Sequence, residues 1–117
     1  MHEMGIAQEL IRIAIDSIPK DIENPKVQIL KLKIGRLAAV VEHSLKFCFE
    51  ILTKDTILED VKLDIKFMPV MVYCTACDNK WEVKDAIFAC QFCEKNEVEM
   101  ISGRQIEIVS IELEDLS

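Results

Sequence analysis

Histidine is scarce in this sequence: there are two, His2 and His43. No run of about 18 apolar residues occurs, so no segment is expected to span a membrane as a helix. Positive charge is also in deficit. Fourteen Lys and Arg face 21 Asp and Glu, for a net charge of −7. An acidic surface repels phosphate backbones, which makes nucleic acid a poor partner. Internal repeats beyond one paired cysteine motif, and low-complexity stretches, are missing as well. Glu3, Glu9 and Asp16 interrupt the apolar residues near the start, so neither a signal-peptide core nor an acid-poor transit peptide is expected. A cytoplasmic, reducing location is the expectation, and there structural disulfides are rare. No nucleophile–base pair and no convergent carboxylate set stands out, so catalysis is not expected.

What the chain does have is an apolar half, 50 % of its 117 residues. That suits one folded unit with a real core. Residues 5–18 read as an amphipathic helix, with Ala7, Leu10, Ile11, Ala14 and Ile18 on one stripe. Pro19 and Pro25 bracket a polar loop. Residues 27–34 read as a strand ending at Gly35. Residues 42–54 return to helical spacing, with Leu45, Cys48, Phe49 and Leu52 on one face. Residues 61–67 alternate strictly, Val61, Leu63, Ile65 and Phe67 against Lys62, Asp64 and Lys66, as a half-buried strand does. Residues 105–114 read as a last strand whose phase slips. Ile106 and Ile108 share one parity, and Val109, Ile111 and Leu113 the other, so a β-bulge near Ile108–Val109 is expected.

The expected fold class is α+β: a small mixed three-stranded sheet with two helices, plus an inserted cysteine-rich lobe. The expected division is 1–69 plus 105–117 for the α/β body and 70–104 for the lobe. That lobe holds "CTAC" at 74–77 and "CQFC" at 90–93. Two such turns can surround one ion with four thiolates. Cys74, Cys77, Cys90 and Cys93 are therefore the candidate ligands. No histidine lies in the lobe, so all four are needed, and a closed tetrahedral site reads as structural zinc. Iron in a redox site uses a similar ligand set and stays open on spacing alone. The intervening segment is expected to form a hairpin carrying Trp81 and Phe88. Between Val70 and Gly103 three lysines face six carboxylates, the wrong balance for a nucleic-acid-binding ribbon. Cys48 reads as a small buried residue, and His43 as a surface or cap-region histidine.

The opening "MHE" offers a second set of donors. The α-amine of Met1, the backbone amides of His2 and Glu3, and the His2 imidazole can supply up to four nearly planar nitrogens. Cu²⁺ and Ni²⁺ favour that geometry. The bulk of His2 disfavours trimming of Met1. The competing reading is a frayed terminus, with Glu3 a carboxylate favoured by its own helix dipole.

Three stretches together, "MHE" with the helix behind it, "LKIGRLAAVVEHSLKFCFE" (32–50), and "CTAC…CQFC" running on to "IEIVSIELE" (74–114), resemble the HypA/HybF family of hydrogenase nickel-incorporation proteins. The resemblance covers essentially the whole chain. It implies a non-enzymatic nickel metallochaperone with an α/β nickel-binding domain and an inserted zinc ribbon. Carried over by residue, His2 is the nickel ligand, Met1 and Glu3 contribute through the terminal amine and the backbone, and Cys74, Cys77, Cys90 and Cys93 bind zinc. The implied partners are a hydrogenase-maturation GTPase, the [NiFe] hydrogenase large subunit and, for some members, urease maturation proteins. Two departures stand out. Neither Cys-x-x-Cys turn contains the proline common in the family, and His43 replaces a helix-initiating proline or serine. The rival reading is a zinc-ribbon interaction adaptor with no nickel role.

Overall fold

The computed structural model describes residues 3–84, 89–90, 92–93, 95 and 97–114. Helix α1 runs Glu3–Ser17 and buries Ile6, Ala7, Leu10, Ile11 and Ala14. These are spaced three or four apart, as one helical face demands. The helix stops just ahead of Pro19. Strand β1 (Val27–Gly35) follows, then a 3-10 turn (Arg36–Ala38), helix α2 (Glu42–Leu52) and strand β2 (Lys62–Met68). A last strand, β6 (Ile106–Leu113), returns to this sheet after the lobe. Its order is β2-β1-β6, with β1 parallel to β2 and antiparallel to β6. The expected mixed three-stranded sheet is thus present. Helix α2 is the crossover that a parallel pair requires.

The core forms where Leu30, Leu32 and Ile34 of β1 meet the buried faces of α1 and α2, with Phe49, Leu45 and Leu58 fully enclosed. The alternation expected in β2 holds: Leu63 is buried and Lys62, Asp64 and Lys66 are exposed. The phase slip in β6 is a bulge. Leu32 pairs with Ile108 and Lys31 with Ser110, so Val109 is the extra residue. Parity had grouped Val109 with Ile111 and Leu113. Instead the bulge turns it outward, 53 % exposed, while Ile106, Ile108, Ile111 and Leu113 all reach the core. A hydrophobic phase is preserved by moving one residue out of it.

The lobe has its own sheet, which sequence spacing did not predict in detail. Strands β3 (Met71–Cys74), β4 (Lys80–Glu82) and β5 (Val98–Ser102) lie in the order β4-β3-β5, all antiparallel. The observed hairpin is β3–β4, which folds around the first cysteine turn and sets Trp81 on β4 opposite Val72; residues 85–88, Phe88 among them, needed for a hairpin between the two cysteine turns, lie outside the described residues. The two sheets stand end to end. The radius of gyration is 18.2 Å, against about 13 Å for a compact chain of this length.

The chain enters the lobe beyond Pro69 and leaves it at Gly103, and both crossings pass the end of β1. Gly35 N–H donates to Gln105 O at 2.6 Å and Leu37 N–H to Gly103 O at 2.8 Å. Ser102 Oγ donates to Pro69 O at 2.9 Å. A Cβ on Gly35 would sit well inside contact distance of the Gly103 carbonyl and the Arg104 nitrogen. Gly35 has ordinary extended angles, φ −68° and ψ 142°, so space alone demands glycine there. Gly103, at φ +127°, needs glycine for its backbone as well.

Gly35→Ala is expected to lower stability by about 1–3 kcal/mol, as overpacking does. Gly5→Ala meets nothing within 4 Å in α1 and is expected to gain up to about 1 kcal/mol of helix propensity. Urea unfolding of both variants, followed by helical circular dichroism, checks the contrast; equal midpoints would remove the steric argument for the neck.

Candidate metal centre

Strand β3 delivers Cys74 to the tip of the lobe, and a tight turn brings Cys77 back beside it. Asp78 N–H donates to Cys74 O at 2.8 Å, and Cys74 N–H donates to Asn79 O at 2.9 Å. Asp78 closes the turn at φ 61°, a left-handed conformation that Asp tolerates better than most residues. Its carboxylate accepts the Tyr73 hydroxyl at 2.5 Å, and that bond raises the Tyr73 pKa. The Asn79 side-chain amide donates to Cys77 Sγ at 3.2 Å. On the other side, Phe92 N–H donates to Cys90 Sγ at 3.4 Å. Trp81 and Phe92 meet edge to face with ring centroids 6.4 Å apart.

The four sulfurs converge as the spacing predicts. Cys74–Cys93, Cys77–Cys90 and Cys90–Cys93 are 3.5, 3.6 and 3.7 Å apart, and all four lie within 4.8 Å of one another. A tetrahedron with metal–sulfur bonds near 2.3 Å has edges of about 3.8 Å. The donor set therefore fits one tetrahedral ion. Among the described residues it is the one group of three or more His, Cys, Asp or Glu side chains that does so. Cys74 is fully enclosed and Cys90 nearly so.

The thiols are not equivalent. Burial opposes ionisation of Cys74, but hydrogen bonds from the Cys77 backbone, the Cys93 thiol and the Ala76 backbone outweigh it and hold its pKa at about 6. At Cys90 burial prevails and pushes the pKa up to about 11. Four thiolates this close need a cation between them, and its charge is what completes their ionisation.

Cys48 is buried in the core between Leu45 and Phe49, as the sequence suggested. His43 is exposed in the first turn of α2. Met1 and His2 lie outside the described residues. Glu3 opens α1, and its carboxylate accepts the N–H of Val41 at 3.0 Å. Val41 is the N-cap of α2 and makes no side-chain cap of its own. Sequence reasoning had placed the Glu3 charge on the dipole of α1. The structure also spends it on the second helix, 38 residues away. The available signal was the missing Ser, Thr, Asp or Asn ahead of Glu42, which left an orphan amide in need of an acceptor.

The model of the family described as "Hydrogenase/urease nickel incorporation, metallochaperone, hypA" matches residues 1–113. The chain belongs to the HypA family. A hydrogenase maturation factor HypA from Desulfosudis oleivorans is 45 % identical, over 98 % of this chain and 100 % of that protein. A second, from Desulfatibacillum aliphaticivorans, is 42 % identical over 98 % of this chain and 88 % of that one. The fold is that of the solution structure of the Ni metallochaperone HypA from Helicobacter pylori, with a TM-score of 0.69, 22 % identity and 97 % of each chain covered. A further solution structure of a HypA protein gives a TM-score of 0.73 at the same identity. The chain is thus a member of a nickel-incorporation metallochaperone family of hydrogenase and urease maturation, and it carries a four-cysteine metal site. No helix among the described residues is long and apolar enough to cross a membrane.

Trp81 is the sole tryptophan and lies in the lobe, so its emission reports on that sheet alone. Stripping the metal with a strong chelator, or replacing Cys74 with Ser, is expected to shift Trp81 emission to the red while the helical signal of α1 and α2 persists. Unchanged emission on complete metal loss would show that the lobe folds without its ion. Separately, Glu3→Ala is expected to cost about 1 kcal/mol through the lost cap, measured by urea unfolding with the metal content unchanged.

Proposed function

We propose that this HypA-family chain carries Ni²⁺ at its free amino terminus and holds Zn²⁺ in the four-cysteine site. The α-amine of Met1, the backbone amides of His2 and Glu3, and the His2 imidazole bind the nickel as transferable cargo. Cys74, Cys77, Cys90 and Cys93 hold the zinc as a structural ion. The protein works in the cytoplasm, without catalysis of its own, and helps insert nickel into the [NiFe] hydrogenase large subunit alongside a maturation GTPase. Urease maturation proteins are further recipients. Residues 1–69 with 105–117 act as the nickel-binding domain and 70–104 as the zinc-ribbon domain.

The observation that carries this reading is the match of a nickel-incorporation family model from residue 1 through 113. It takes in the terminal "MHE" and all four cysteines. Two features of the structure support the division of labour. The sulfurs stand at tetrahedral spacing, with Cys74 fully buried, which suits a d¹⁰ ion kept in place. Glu3 spends its carboxylate on Val41, which fits a backbone role for Glu3 at the metal.

The test is a nickel titration of the zinc-loaded, untagged chain. Acetylating the α-amine and, independently, His2→Ala are each expected to abolish nickel binding while the zinc content stays at one. If both forms still take up nickel with the original affinity, the terminal site is wrong, and the chain is better read as a zinc-ribbon adaptor.

A further inference from the structure

We propose that the neck end of the open face of the body's sheet is a docking site for a short acidic segment of a partner polypeptide. It uses none of the metal ligands and stands whether or not the terminus binds nickel. Leu30, Leu32 and Ile34 of β1 face the helices, so Lys31 and Lys33 face the other way. On that open face the register sets Lys33 between Lys66 of β2 and Glu107 of β6. One row further from the neck, Lys31 lies between Asp64 and Ser110 and pairs with Glu112 at 3.5 Å. That far end is balanced, and the neck end is not. A Cβ on Gly35 would point to the same face as Lys33 and stand 2.5 Å from the Arg104 nitrogen. The exposed Arg104 therefore crosses directly beyond the Lys33 row. Three cations, Lys33, Lys66 and Arg104, thus meet one carboxylate, Glu107, on a chain whose net charge is −7.

Two features leave this charge for a partner. Adjacent strands lie about 4.8 Å apart, so Lys33 and Lys66 are lateral neighbours of like charge, an arrangement that costs stability unless an anion lies over it. Among the described residues neither lysine makes an ion pair. The second feature is apolar. Arg104 and Glu107 also line a groove of about 410 Å³ whose other wall is Met100, Ile101 and Ser102 of β5. The register of β5 shifts there, Ser102 pairing with Met71 and Met100 with Val72, which leaves Ile101 unpaired and 53 % exposed. Cations and an exposed isoleucine on one continuous surface fit a polypeptide whose carboxylates lie over the lysines and whose apolar side chain enters the groove. Nucleic acid and anionic lipid fit less well. Both present charge over an area wider than this patch, and the surplus carboxylates of the remaining surface repel them. A short segment touches the patch alone.

The test uses the zinc-loaded chain and a fluorescent synthetic peptide of alternating Glu and Ser with one central Leu; its Gln-for-Glu twin is the neutral probe. Backbone amide NMR should show shifts concentrated at residues 31–35, 64–68 and 101–107. Combining Lys33→Gln with Lys66→Gln should weaken binding about tenfold, the size of two exposed ion pairs, and added salt should weaken it as well. Ile101→Ser should weaken it through the groove. Combining Lys20→Gln with Lys54→Gln removes two exposed cations elsewhere and should change nothing. Lys66→Gln alone should hold or raise the urea midpoint, because a repulsion is removed; a lowered midpoint would remove the strain argument and with it the proposal. The proposal is also overturned if about 1 mM peptide shifts none of these amides, if the double lysine variant binds as wild type does, or if the neutral twin binds equally well. Phosphatidylserine vesicles or duplex DNA that displace the peptide from these residues at lower concentration would overturn it too, because the face would then serve lipid or nucleic acid.

Discussion

The close passage of backbone at Gly35 and Gly103 is the constraint on which the two halves of this molecule depend. Strand β1 is the centre of one sheet, and its last residue lies against the segment that leaves the other. Three main-chain carbonyls, those of Gln105, Gly103 and Pro69, accept hydrogen bonds at this point. The same glycine therefore ends a strand, admits the returning chain, and fixes where β6 begins. A side chain there would push the returning chain away from β1 and strain the register in which β6 pairs with it. Gly103 adds the left-handed turn that makes the exit sharp.

Beyond that neck the two halves are stabilised by different physics. The body buries a continuous apolar cluster drawn from both helices and three strands. Among its described residues the lobe buries only the side chains of Val70, Val72, Cys74 and Cys90. So few buried side chains are too little core for a sheet of three short strands, and a bound ion supplies what burial does not. The donors around the sulfurs are part of that solution. Asn79 and the Phe92 amide point N–H groups at sulfur, spreading the anionic charge of the thiolates in a segment that already carries an excess of carboxylates.

How much of this was legible beforehand follows from the range of each interaction. The Cys-x-x-Cys turns are local, so their spacing alone announced the four-sulfur cluster. Strict alternation from Val61 to Phe67 announced β2, because a two-residue period has one meaning. The parity slip in residues 105–114 announced a bulge. Parity could not say which residue would be expelled, since Val109 is as apolar as Ile108 and Ile111; pairing with Lys31 and Leu32 decided that. Glycine at position 35 looked like a strand terminator. Its real reason lies 68 positions away, at Gly103, and no local pattern carries it. The Glu3–Val41 bond was hidden likewise, although the unusual N-cap was visible. The terminal donors were legible only as chemistry, because Met1 and His2 fall outside the described residues.

In the proposed function, the contrast between the two metal positions has a kinetic consequence. An ion leaves a closed four-thiolate cage only if several enclosed bonds open together, and here one sulfur, that of Cys74, is 0 % exposed. Donors on consecutive residues at a chain end can be released one at a time, each replaced by a ligand of the recipient. A site built for handing over must therefore avoid enclosure, and enclosure is what folding a core provides. Placing the cargo on consecutive residues of the chain end, with the Glu3 carboxylate fastened to the cap of α2, meets both demands. The ligands can exchange, yet the residue that follows them is fixed to the helical layer. Folding free energy is used to position the site without being used to close it.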